Sequence, residues 1–164
     1  MPDPEQLFPN NNLSMFYLKK HSSLSKELAK SSFKEIIKSR PLASLGDFLI
    51  NYCYTVARFH VAPIEHKAIR VWDSSLARAL KESEFANYLP SRMSSGELGD
   101  AVEAMVAWLY MTGRMSLEEM IEIMLPGLDP SLIGKPGEKD LAVFAISLFL
   151  EHVWERRIYP RITG

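Results

Sequence analysis

Between Pro41 and Phe59 apolar residues recur every three or four positions, at Leu42, Leu45, Leu49, Tyr52, Val56 and Phe59, which is the period of an α-helix. The opposite side carries Ala43, Ile50 and Tyr54, so this helix has no wholly polar face and must be covered on more than one side. Asp47 lies inside it. A second stretch, 97–110, is equally apolar, and from Ala101 to Met111 its one charged residue is Glu103. Asp100 precedes Glu103 by three residues and shares its helical face. An ionised carboxylate in such surroundings costs several kcal/mol unless it is paired or holds a metal.

The remaining pattern is also helical. A helix is expected from about Ser25 to Ser39, with Leu28, Phe33, Ile36 and Ile37 on one side, and Pro41 suits the first turn of the next. Residues 66–83 read as a helix with a break at Asp73. Ser94 with Glu97, and Ser116 with Glu119, have the capping-box spacing. Asp129-Pro130 suits a short turn, and 139–157 form a last long helix through Leu141, Phe144, Leu148 and Trp154. With no period-two run joined by a hairpin turn, the chain is expected to fold as an all-α bundle, one domain over 1–164 with a loose segment at 1–12.

Charge and cysteine content narrow the function classes. The formal net charge is −1, which argues against a generic basic nucleic-acid-binding tail, yet residues 17–40 hold seven lysines and arginines against Glu27 and Glu35. Between 97 and 129 seven acids face Arg114. The asymmetry suits a polyanion held at one region and a divalent cation at another; it equally describes two solvated helix faces of opposite sign. Lys26, Lys30 and Lys34, at about helical spacing, are the candidates for contacting a phosphate backbone. Cys53 is the single cysteine, which favours a reducing compartment. The start has no apolar leader and no apolar run is long enough for a bilayer, so a soluble cytoplasmic protein is expected. His21, His60, His66 and His152 show no close-spaced ligand pair, and the methionines and Trp108 read as core.

The acids admit two explanations. Asp100 and Glu103 can favour a helix N-terminus, and Asp47 can pair with Arg40 or Arg58, with Gly46 beside it letting another backbone approach. Alternatively Asp47, Asp100 and Glu103, on two buried helices, make a hard-oxygen site of the kind that binds Mg²⁺ or Mn²⁺ and acts on phosphate esters.

Leu45-Gly46-Asp47, then Leu76-Ala77 leading into 83–89, then Asp100-Ala101-Val102-Glu103-Ala104 with Tyr110 six residues on, is similar in order and spacing to the ribonuclease III catalytic domain over roughly residues 40–125. The resemblance implies an all-helical homodimer that cuts double-stranded or structured RNA with Mg²⁺, Mn²⁺ serving as substitute. Asp47, Asp100 and Glu103 match three of the family's catalytic, metal-binding carboxylates. Two further glutamates of the family pattern are replaced by Ala43 and Arg40, and a large residue that reaches into the partner subunit is Ser44. The mini-ribonucleases III also have alanine at the position of Ala43 and, like this chain, no double-stranded-RNA-binding domain; they lack the acid matched by Asp100. The alternative implied by the replaced glutamates is a catalytically inactive RNA-binding or ribosome-associated relative.

Overall fold

The computed structural model describes residues 23–62 and 67–162. The loose segment expected at 1–12, and His21 and His66, lie outside them. The described regular structure is helical, as expected: α1 (Ser23–Lys30), α2 (Phe33–Ile36), α3 (Arg40–Val61), α4 (Asp73–Lys81), α5 (Ser95–Met111), α6 (Leu117–Met124) and α7 (Glu138–Glu155), with short 3₁₀ turns between them. An isolated bridge joins Ser32 to Arg161. No described helix is long and apolar enough to cross a membrane.

Helix starts follow local chemistry. Ser39 accepts from Leu42 N at 3.4 Å with Pro41 in the first turn of α3. Both expected capping boxes form: Ser94 N donates to Glu97 at 2.7 Å, and Ser116 N to Glu119 at 2.7 Å. A third, between Ser32 and Glu35, overturns the continuous helix expected over 25–39. Ser32 is extended (φ −76°, ψ 160°), so the chain stops at Lys30 and restarts at Phe33. A cap contributes about 1 kcal/mol, enough to divide a helix whose apolar spacing runs on uninterrupted. In the expected 66–83 helix, residues 67–72 are coil and the helix begins at Asp73.

α5 is the centre. Its residues 101–109 are all buried, and it packs most extensively against α3 and then α4, while α7 closes the bundle over α4 and α6. The α3–α5 crossing is close because residue 46 is glycine: a Cβ there would stand 1.7 Å from the carbonyl oxygen of Glu103. Backbone therefore meets backbone at the point where both helices carry their acids.

On two helices the apolar stripe read from spacing only partly coincides with the buried face. α7 buries Ala142, Val143, Ala145, Ile146, Phe149, Leu150 and Val153, and leaves Phe144 54% exposed. α3 buries Leu42 of the expected stripe together with Ala43, Gly46, Ile50, Cys53, Tyr54, Ala57 and Arg58; Leu45, Leu49 and Val56 pack at the edge of the core, while Tyr52 and Phe59 face outward with Phe48. Helices apolar nearly all round offer two candidate stripes, and tertiary packing selects between them.

A buried ionic network also shapes α3. Arg58 Nε donates to Glu138 Oε1 and Arg58 Nη2 to Glu138 Oε2 at 3.1 Å; Tyr54 and the backbone of Gly134 complete the glutamate's partners at 3.2 and 2.8 Å. Both ions are 3% exposed, so each requires the other. Arg58 is thereby committed to α7 and unavailable to Asp47. Cys53 packs against Leu117, and burial pushes its thiol up to about 12, an inert core group. Trp108 is buried with its indole N–H on Leu28 O at 2.7 Å, a core residue as expected.

Candidate active site

Asp47, Asp100 and Glu103 line one open cleft of about 330 Å³ with Arg40, Ala43, Ser44 and Arg70. The three acids named from sequence thus reach the same space from α3 and α5. They differ in surroundings. Glu103 is 5% exposed, Asp47 is half-buried and Asp100 is exposed.

Asp47 is held by Asn51 and Arg70. Its Oδ1 accepts from Asn51 Nδ2 at 2.8 Å, one turn along α3, and lies 3.4 Å from Arg70 Nε. Asn51 uses its own carbonyl to accept from Val71 N at 2.7 Å. The anchoring continues along the same side of α3: Thr55 exchanges hydrogen bonds with both backbone groups of Ile69, and Arg58 Nη1 donates to Lys67 O at 2.8 Å. Polar groups at 47, 51, 55 and 58 therefore strap segment 67–72 onto α3, which brings Arg70 to Asp47 and starts α4 at Asp73. Asn51 and Arg70 were not among the residues singled out from sequence. Their signal was the four-residue spacing of Asp47, Asn51 and Thr55 inside an apolar helix; Arg70 had none. Arg70, rather than Arg40 or Arg58, is the ion-pair partner of Asp47.

Glu103 has the clearest electrostatic signature. Its carboxyl is pushed up to about 8, first by burial, then by the negative charges of Asp47, Asp100 and Asp73, with a hydrogen bond to Asp47 adding to them. Burial and these neighbours favour its protonated form at neutral pH. Glu97 is not free to join this group: its carboxylate is spent on the Ser94 cap and its pKa is lowered there. Among the described residues no three acidic, histidine or cysteine side chains converge closely enough to hold an ion as they stand. The donor chemistry suits a hard divalent cation, while the present rotamers give Asp47 to Asn51 and Arg70 instead.

Lys26 and Lys30 lie exposed on α1, and Lys34 is exposed on α2, beyond the Ser32 cap. The three belong to two helices, not to the one row expected.

The family model described as Ribonuclease III matches residues 40–158, the span from the first residue of α3 to just beyond α7. The chain belongs to the ribonuclease III family. No curated protein matches it. The match contains both acid-bearing helices of the ribonuclease III fold and the strapped segment between them, and leaves α1 and α2 with their lysines outside. Ribonucleases III generally use a divalent metal, act on RNA and dimerise.

Proposed function

We propose that this chain works as a single-domain, Mg²⁺-dependent endoribonuclease, Mn²⁺ serving as substitute, that cuts double-stranded or structured RNA in RNA processing. The observation that carries the reading is the buried Glu103 lining a solvent cleft beside Asp47 and Asp100, where burial and the two neighbouring acids raise its pKa. Such a cluster is costly without a cation and becomes useful with one. A bound divalent ion lowers the pKa of water and offsets charge that develops on a phosphodiester under attack. Asn51 orients Asp47, and Glu103 gives up its proton as an ion arrives, so ion affinity rises with pH up to about 8. The test is incubation with labelled duplex and single-stranded RNA in Mg²⁺: cleavage confined to duplex or structured RNA supports the reading.

A second reading, a catalytically inactive RNA-binding or ribosome-associated protein, is favoured by one observation. Asp47 already has a cationic partner in Arg70 and the donors do not converge. An absence of cleavage in either ion, with RNA binding retained, selects it.

Homodimerisation is part of the proposal. Phe48, Tyr52 and Phe59, which share a face of α3, are 75%, 52% and 39% exposed, an apolar row that a second copy would cover. Ser44, one turn before Phe48, leaves the row without a large side chain at its end. Light scattering at micromolar concentration is expected to give a dimer, and Phe48→Asp a monomer; a monomeric wild type contradicts the assignment. The cytoplasm is the proposed location, supported by the lone buried Cys53.

Lys26, Lys30 and Lys34 are proposed to contact phosphates without reading sequence. Changing all three to Glu is expected to weaken RNA binding about tenfold or more, uniformly across sequences, and to flatten its salt dependence. Unchanged binding assigns them to a solvated face.

A further inference from the structure

A second recess, of about 370 Å³, adjoins the carboxylate cleft and shares Arg40, Ala43 and Asp100 with it. Its outer wall carries three cations from two parts of the chain: Lys38 and Arg40 at the entry to α3, and Arg92 from the turn before α5. All three are exposed, and among the described residues none forms an ion pair. Their shared position is built. Arg92 has a left-handed backbone (φ 66°), which few non-glycine residues adopt, and the Ser39 cap fixes where α3 begins and hence where Lys38 and Arg40 stand. The apolar part of the lining is Ile37, Pro90 and Met93. Of the two acids at its rim, Glu97 is engaged by Ser94, and Asp100 belongs equally to the carboxylate cleft.

Unpaired guanidinium and ammonium groups beside an apolar lining suit a phosphate with a sugar attached. Ala43 lies at the join. It is the small residue common to both spaces, so a strand can pass from one to the other, and the carboxylate at the join, Asp100, stands there together with the cationic Arg40. We infer that the Lys38–Arg40–Arg92 recess holds a backbone phosphate of the RNA strand flanking the phosphodiester presented to the carboxylates. This inference rests on the reading of the neighbouring cleft as an RNA site. Arg40, touching both spaces, keeps the two phosphates in register.

The test is RNA binding measured in EDTA, which separates it from cleavage. Lys38→Ala combined with Arg92→Asn, asparagine tolerating the left-handed backbone, is compared with wild type and with Asp47→Asn on a labelled duplex over a range of salt. The double variant is expected to bind about tenfold more weakly, with a salt slope smaller by about 1 to 2, while Asp47→Asn binds no more weakly than wild type. Equal affinity and slope for the double variant and wild type overturn the inference, whether or not the wild type cuts RNA. A weakened double variant alongside a wild type that never cuts in Mg²⁺ upholds the recess and defeats the nuclease reading. Should wild type bind no duplex, inorganic phosphate decides. A rise in melting temperature over chloride at matched ionic strength, seen in wild type and absent in the double variant, retains a phosphate site of another source and overturns the RNA assignment; no difference between the two proteins overturns the site altogether.

Discussion

Glu103→Gln is expected to reduce cleavage of duplex RNA by roughly three orders of magnitude and, at the same time, to make the protein more stable at alkaline pH. The first effect follows from removing the buried one of three carboxylates around the cleft. The second follows from its proton. In the unfolded chain this carboxyl titrates near 4.5, and in the fold near 8, so between those values the native state holds a proton that the unfolded state has released. Its contribution to stability is fully present below about 4.5, falls as pH rises, and is gone above about 8, where an ionised Glu103 faces Asp47 and Asp100. Glutamine keeps the size and cannot ionise. At pH 9 the variant should melt higher than wild type by roughly 10 °C or more, corresponding to about 4–5 kcal/mol, and near pH 5 the two should nearly coincide. Millimolar Mg²⁺ should raise the wild-type melting temperature at pH 8 through binding to the folded state and leave the variant unaffected. Thermal melts from pH 5 to 9 with and without Mg²⁺, run beside the cleavage assay, check both effects. A variant that melts below wild type throughout, and still cuts, shows a merely structural Glu103.

Gly46→Ala should be the most disruptive change of a single methyl group. The added Cβ would lie 1.7 Å from the Glu103 oxygen and 2.3 Å from its carbonyl carbon, both backbone atoms in the middle of α5, so no side chain can rotate away. The helices must part along the seam that carries the acids. Overpacking of this kind costs typically about 1–3 kcal/mol, and the rigid backbone contact puts this site at or above the top of that range. The melting temperature should fall by roughly 10 °C, and cleavage should fall with it, because parting the seam moves Asp47 away from Glu103. Gly96→Ala is the control: its nearest neighbour is Ser94 Oγ at 4.0 Å, and the gain in helix propensity, up to about 1 kcal/mol, should leave that variant as stable as wild type or more so. Equal melting of Gly46→Ala and wild type would contradict the backbone contact.

Gly46 and Gly99 show where sequence reasoning reaches and where it stops. Leu-Gly-Asp occurs at 45–47 and again at 98–100. Around Gly46 the flanking apolar residues made a close backbone approach readable, and the fold places Glu103 there. Around Gly99 a Cβ would find Asp73 no nearer than 3.7 Å, ordinary contact. Periodicity and caps gave the helices and their starts, including the two boxes at Ser94 and Ser116. The Ser32–Glu35 box has the same spacing and was hidden by apolar residues that continue across it. That Asp47, Asp100 and Glu103 line one cleft was legible because each breaks an apolar stretch. Arg58 with Glu138 was not, since the pair spans 80 residues and each member alone resembles a surface charge. Arg70 lay equally out of reach, because only the strap of Asn51 and Thr55 on segment 67–72 brings it to Asp47.

The proposed metal site stands or falls on whether a cation displaces Arg70 and the Glu103 proton. Crystals soaked in Mn²⁺ at pH 8 and measured for anomalous scattering give the most direct answer. The account expects a peak among Asp47, Asp100 and Glu103, about 2.0–2.3 Å from their carboxylate oxygens, with Arg70 turned away from Asp47. No peak at saturating Mn²⁺, with Asp47 still held by Asn51 and Arg70, would contradict it.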